Sequence, residues 1–352
     1  MRWAKRRCST SAVMAKGTIM RIATALLIAG LAAAASCSAE APATGPLEPL
    51  PTIALPGVGG RIDHMAADVK GNRLFVAALG HGAVEVVDLA AGKVVQSITG
   101  LKGPQGVLFA PEFNLLAVAC GEDGTVRFYD AATLKPAGAL DYKDDADNLR
   151  YDPAAKRIYV GYGSGGLGVI DAAKREKIGE IPLAAHPESF QLEKAGKRIF
   201  VNVPKAGHVA VVDREKMSVA ATWPTPEAKD NFPMALDEAN RRLFVVCRKP
   251  ARTLVYDTDS GKVVTQFDCV GDADDIFYDA PVRRLYIAGG QGFVEAFEQT
   301  DADHYRLVQK ISTAWMARTA LFVPDLARLL VAAPHMVPLE HEAEIRVFKV
   351  AR

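Results

Sequence analysis

The chain has 352 residues, 49% of them apolar and 24% charged, with a formal net charge of +1. That mix is an ordinary globular one, which excludes a disordered or fibrous chain, while the length already exceeds what a single apolar core usually supports. No helical periodicity of useful length follows the first 40 residues, so the architecture is expected to be all-β.

Residues 1–36 read as an export signal, not as part of the fold. Met20-Arg21 is followed by an apolar run from Ile22 to Ala35, too short for a transmembrane helix and suited to a signal core. The run ends Ala34-Ala35-Ser36-Cys37, which resembles a bacterial lipoprotein cleavage box with Cys37 as the lipidated residue. Ordinary cleavage near Ala35 or Ala39 is the alternative. Arg2, Lys5, Arg6, Arg7, Lys16 and Arg21 leave with this segment and no acid does, so the formal charge moves from +1 to −5. A mildly acidic exported domain argues against nucleic-acid binding, and leaves a lipid anchor as the only expected membrane contact. Periplasm or cell envelope is the expected location.

Residues 37–49, rich in Ala and Pro, read as a tether, and Leu50 to Leu55 as a short strand without neighbours of its own. One phrase then recurs. It runs RLFVAALGHGAVEVVD from Arg73, LLAVACGEDGTVRFYD from Leu115, RIYVGYGSGGLGVID from Arg157 and RIFVNVPKAGHVAVVD from Arg198. It returns as RLFVVCRKPARTLVYD from Arg242, RLYIAGGQGFVEAF from Arg284 and RLLVAAP…EIRVFKV from Arg328. A polar turn precedes each copy, anchored at Asp68, Ala110, Asp152, Glu193, Asp237, Asp279 and Val323, in steps of 41 to 44 residues. That is the period of a four-stranded propeller blade, so residues 50–352 are expected to form one seven-bladed β-propeller. The last copy ends after its third strand, and the N-terminal strand should supply the fourth and close the ring.

The phrases RIYVGYG, RLFVVCR and RLYIAGG, with their VVD and VYD partners, resemble the YVTN-type repeats of YncE-like bacterial β-propellers over residues 50–350. The resemblance implies the fold and a secreted or periplasmic setting, and little about activity, because the matching residues are core strands. The strict Tyr-Val-Thr-Asn signature is replaced by Phe200-Val201-Asn202-Val203 and its equivalents.

The period turns sequence columns into rings of side chains. Five residues before each anchor stand Asp63, Gln105, Asp147, Glu188, Phe232, Asp274 and Arg318. The next column is His64, Gly106, Asn148, Ser189, Pro233, Asp275 and Thr319. Both should ring the mouth of the central channel, above apolar positions such as Leu149, Phe190 and Ile276. A polar collar on an apolar lining suits a ligand site, and Asp63, His64, Gln105, Asp147, Asn148, Glu188, Phe232, Asp274, Asp275 and Arg318 are its candidate binding residues. Arg318 falls between Asp274 and Asp63 once the ring closes. Asp147 and Glu188 are neighbours with no basic partner in the collar, which raises one pKa or invites a divalent cation held by Asp147, Asn148 and Glu188. Trp223 and Trp315 stand near the same face, as sugar platforms or as caps on outer strands.

Two readings of function follow. One is a non-catalytic binding module for a small polar ligand or an envelope protein at the channel mouth. The other is a metal-dependent, lactonase-like hydrolase using a cation there, by analogy with other propellers. No catalytic set is readable, a monomer is expected, and Cys120, Cys247 and Cys269 are expected to be free thiols. Gly163 to Gly168 joins two strands and is no phosphate loop, and the acidic run Asp141 to Asp147 lacks the glycine and glutamate of a calcium loop.

Overall fold

A computed structural model describes residues 45–335 and 342–352; the signal, Cys37 and His341 lie outside them. Among the described residues the strands form seven four-stranded antiparallel sheets, one per repeat. Blade 3 runs from its innermost strand Leu149–Asp152 through Arg157–Tyr162 and Gly166–Asp171 to the outer Glu176–Pro182. Its β-branched and aromatic residues suit the doubly covered middle strands, where Tyr159 lies opposite Val169. The turn between them needs glycine: Gly163 has φ +59° and Gly165 φ +153°. A Cβ on Gly165 would also sit 2.5 Å from the Leu183 carbonyl oxygen.

The N-terminal strand closes the ring. Residues Leu47–Ala54 pair antiparallel with Glu344–Val350 and form the outer strand of blade 7. The strand begins at Leu47, earlier than the Leu50 expected from sequence, so the tether is shorter. Gln309 explains the difference: its Oε1 accepts from the Leu47 N–H at 2.7 Å and its Nε2 donates to the Leu47 carbonyl at 3.0 Å. Pro49 falls in the expected tether, but an outer edge has no further strand to which it must donate.

The apolar core is distributed between blades. Tyr159, Leu167 and Val169 of blade 3, for example, pack against Phe190, Ile199 and Val201 of blade 4. Arginines stitch the bottom face. Arg73 pairs with Asp68 at 2.7 Å and reaches the Ala131 carbonyl of the next blade. Arg198 does the same with Glu193 and the Thr258 carbonyl. In blade 3 the anchor Asp152 is instead taken by Arg214 of blade 4, at 2.6 Å. Cys120, Cys247 and Cys269 are free thiols.

Candidate site at the channel mouth

All seven residues of the first collar column line one cavity of about 790 Å³ at the top of the channel. Backbone bonds aim them there. The Asp63, Asp147 and Glu188 N–H groups donate to the carbonyls of Ala77, Gly161 and Asn202, near the end of the adjoining strand, at 2.7, 2.9 and 2.9 Å. Each collar side chain therefore projects from a rigid blade into the axis.

One sector is held by two arginines. Arg318 Nε lies 3.1 Å from Asp274, and its Nη1 donates to Asp272 at 3.1 Å. Arg248 Nη2 donates to the same Asp274 at 2.6 Å, and its guanidinium stands 3.8 Å from the centre of the Phe232 ring. Of its two expected partners Arg318 takes Asp274, whereas Asp63 is bound by Arg61 at 2.8 Å. Gln105 donates to Asp145 at 3.0 Å.

The mouth also gathers titratable side chains close to one another. His186 donates from Nδ1 to the Gly163 carbonyl at 2.6 Å, with Nε2 3.8 Å from Asp147. Burial alone would lower its pKa, but Asp147, that carbonyl and Asp145 outweigh burial and lift it to about 9. Burial, reinforced by Asp147, pushes the Glu188 carboxyl up to about 8. Burial also lifts Asp63 to about 6 and Asp275 to about 7, although the neighbouring imidazole of His64 opposes both. His64 stands between them, Nε2 3.7 Å from Asp63 and Nδ1 3.8 Å from Asp275. Burial disfavours its charged form, yet those carboxylates raise its pKa on balance. Near neutral pH the mouth thus offers protonated carboxyl donors beside ionised acceptors, a mixture suited to hydroxyl- and amine-bearing ligands.

The structure adds detail to these expectations. Asp147 and Glu188 have basic neighbours outside the two collar columns: His186 stands 3.8 Å from Asp147, and its charge, followed by that of Arg248, acts on Glu188. Of the residues expected to hold a cation, Asp147 and Glu188 line the cavity, while Asn148 is buried and its Oδ1 accepts from Arg150 at 3.3 Å. Among the described residues no three His, Cys, Asp or Glu side chains converge as a metal requires. Below the collar the lining is not purely apolar. Phe190 and Ile276 pack in the cores between blades, while Leu149 and Arg150 both line the channel. Trp223 is a core residue stacked between Phe200 and Tyr256, at 5.3 and 5.9 Å, whereas Trp315 is exposed.

Arg248 and Arg150 were legible but unread. Arg248 stands in a column otherwise filled by Leu79, Gly121, Gly163, Pro204, Gly290 and Pro334. Arg150 shares its column with Ala66, Leu108, Gln191, Ala235, Phe277 and Leu321. One charge in a column of small or uncharged residues is the signal that would have found each.

No family model and no curated protein matches the chain. Solved structures do. A chain of hydrazine synthase from Kuenenia stuttgartiensis is similar with a TM-score of 0.70 at 17% identity, over 79% of this chain and 95% of that one. A chain of the mitotic checkpoint complex is similar with a TM-score of 0.72 at 14% identity, over 86% of this chain and 92% of that one. At such identities the likeness carries architecture and not activity, and it agrees with the seven sheets in identifying the chain as a seven-bladed β-propeller.

Proposed function

We propose that the protein is a binding module that holds a small polar ligand in the mouth of its central channel. The observation that carries this reading is the convergence of all seven collar side chains on one cavity of about 790 Å³. Such a volume lies within the range of small-molecule sites. Phe232 contributes an aromatic surface, and Glu188, Asp147 and His186 contribute donors and acceptors in one sector. Those groups suit a polyhydroxy or amino-substituted ring better than an apolar compound.

The wider setting we propose is the periplasm or cell envelope, in the manner of the YVTN-type propellers, because residues 1–36 have the composition of an export signal and Cys37 follows it. Mass spectrometry of the mature N-terminus tests this directly. Diacylation at Cys37, cleavage near Ala39 and an intact N-terminus support anchoring, soluble export and retention respectively.

The ligand test is a thermal-shift screen of neutral sugars, amino sugars and small amines on the wild type and on Phe232→Ala with Glu188→Gln. Compounds that stabilise the wild type and not the double variant support the mouth site. Hits that shift both proteins equally would place binding elsewhere. Tight divalent-cation binding that depends on Asp147 and Glu188 would instead favour the metal-dependent hydrolase.

A further inference from the structure

Beneath the collar the channel opens into a second chamber of about 320 Å³. Leu108, Leu149, Phe277 and Leu321 form apolar walls, and His64, Asp275, Arg150 and Gln191 are its principal polar groups. Gln191 is already committed, donating to the Met234 carbonyl at 2.9 Å. Arg150 is not neutralised. Its Nη1 donates to the Leu149 carbonyl at 2.9 Å and to Asn148 Oδ1 at 3.3 Å, and its Nη2 to Ser189 Oγ at 3.4 Å. All three acceptors are uncharged. Among the described residues no carboxylate pairs with this half-buried guanidinium, which stands 5.5 Å from the centre of the Phe190 ring. Burial lowers its pKa, with Asp275 and Asp147 acting against burial from further away.

A half-buried guanidinium without a counter-charge favours an incoming anion, and its planar fork matches a carboxylate. The surrounding walls are hydrocarbon. We propose that this lower chamber binds a small monocarboxylate with a short apolar tail, the carboxylate on Arg150 and the tail among Leu108, Phe277 and Leu321. This chamber shares His64 with the mouth, but its apolar walls and Arg150 line it alone.

Three titratable groups face Arg150: Asp147 from the lead-in to its own strand, Asp275 from the innermost strand of blade 6, and His64 from the lead-in to blade 1. Asp275 Oδ2 accepts the Ala320 N–H at 2.8 Å. Its carboxyl titrates near 7, so an incoming anion meets a charge at pH 8 and a neutral acid at pH 6. Protonation of His64 acts in the same direction. Binding should therefore tighten as pH falls.

The test is calorimetry with sodium butyrate and, separately, inorganic phosphate, on the full-length protein at pH 6 and pH 8. Butyrate is expected to bind the wild type more tightly than phosphate and about tenfold more tightly at pH 6 than at pH 8. Arg150→Met should weaken butyrate at least tenfold. Should Arg150→Met fail to fold, Asp275→Asn decides: at pH 8 it should bind butyrate more tightly than the wild type does at pH 8. The proposal is overturned if millimolar butyrate gives no binding heat with the wild type. It is also overturned by undiminished binding to Arg150→Met, by weaker binding to Asp275→Asn at pH 8, or by a preference for phosphate. Loss of butyrate binding in Arg318→Gln but not in Arg150→Met would move the anion to the mouth and overturn it too.

Discussion

Glu188 makes the mouth sensitive to pH in a direction that can be worked out. Burial beside Asp147 lifts its pKa from 4.5 to about 8. The folded protein keeps this proton up to about pH 8, while the unfolded chain releases it near 4.5. Stability linked to that proton is therefore complete below the unfolded value and is lost as pH rises through the folded one. At about 1.4 kcal/mol per pKa unit the full gap corresponds to at most about 5 kcal/mol. The carboxyl lines a water-accessible cavity, and screening there reduces the expected effect to about 2 kcal/mol. Glu188→Gln removes the proton exchange and keeps the shape. Near pH 4.5 the variant should match the wild type, and at pH 9 it should be more stable by about 2 kcal/mol, read from urea midpoints at constant slope. His186, whose pKa is lifted to about 9, imposes its own loss of stability at alkaline pH in both proteins, and because its charge acts on Glu188 the difference between them reports Glu188 together with that pairing. A wild-type-to-variant gap that does not change with pH would refute the reasoning.

Two further perturbations test the frame that carries the site. Arg318→Ala leaves Asp272 and Asp274 with Arg248 alone, and should cost about 2 kcal/mol with an unchanged denaturant slope. An unmoved urea midpoint would mean that Arg318 does not hold the collar. Deleting residues 37–56 removes the buried Leu47, Ile53 and Leu55 and exposes an edge of blade 7, at a cost of roughly 6 kcal/mol. A truncated protein with the wild-type melting temperature would contradict closure by this strand.

The architecture was legible because the repeat states it many times over. The strands recur in phrase and period, and the period alone carried Asp63, Gln105, Asp147, Glu188, Phe232, Asp274 and Arg318 to one cavity. What escaped depends on geometry that a column does not encode. His186, on the loop that enters blade 4, meets Asp147 on the loop that enters blade 3, and that second loop turns through Lys143 and Asp145 with φ +71° and +31°. Leu47 was hidden behind prolines that an outer edge tolerates. The choice of Arg318 for Asp274 over Asp63 rests on Arg61, which lies outside the repeat and claims Asp63 first. Arg150 and Arg248 were visible as charges out of place in their columns, a pattern that in a propeller marks the axis.

The most direct test of the mouth as the ligand site is amide hydrogen exchange on the intact protein, with and without the strongest ligand from the thermal-shift screen. The seven collar segments lie far apart in sequence and meet only at the channel mouth. Binding there should protect amides around Asp63, Asp147, Glu188, Phe232, Asp274 and Arg318 together, and leave the outer strand Glu176–Pro182 unchanged. Protection confined to outer strands or to the bottom face, with the collar segments unaltered, would contradict the account.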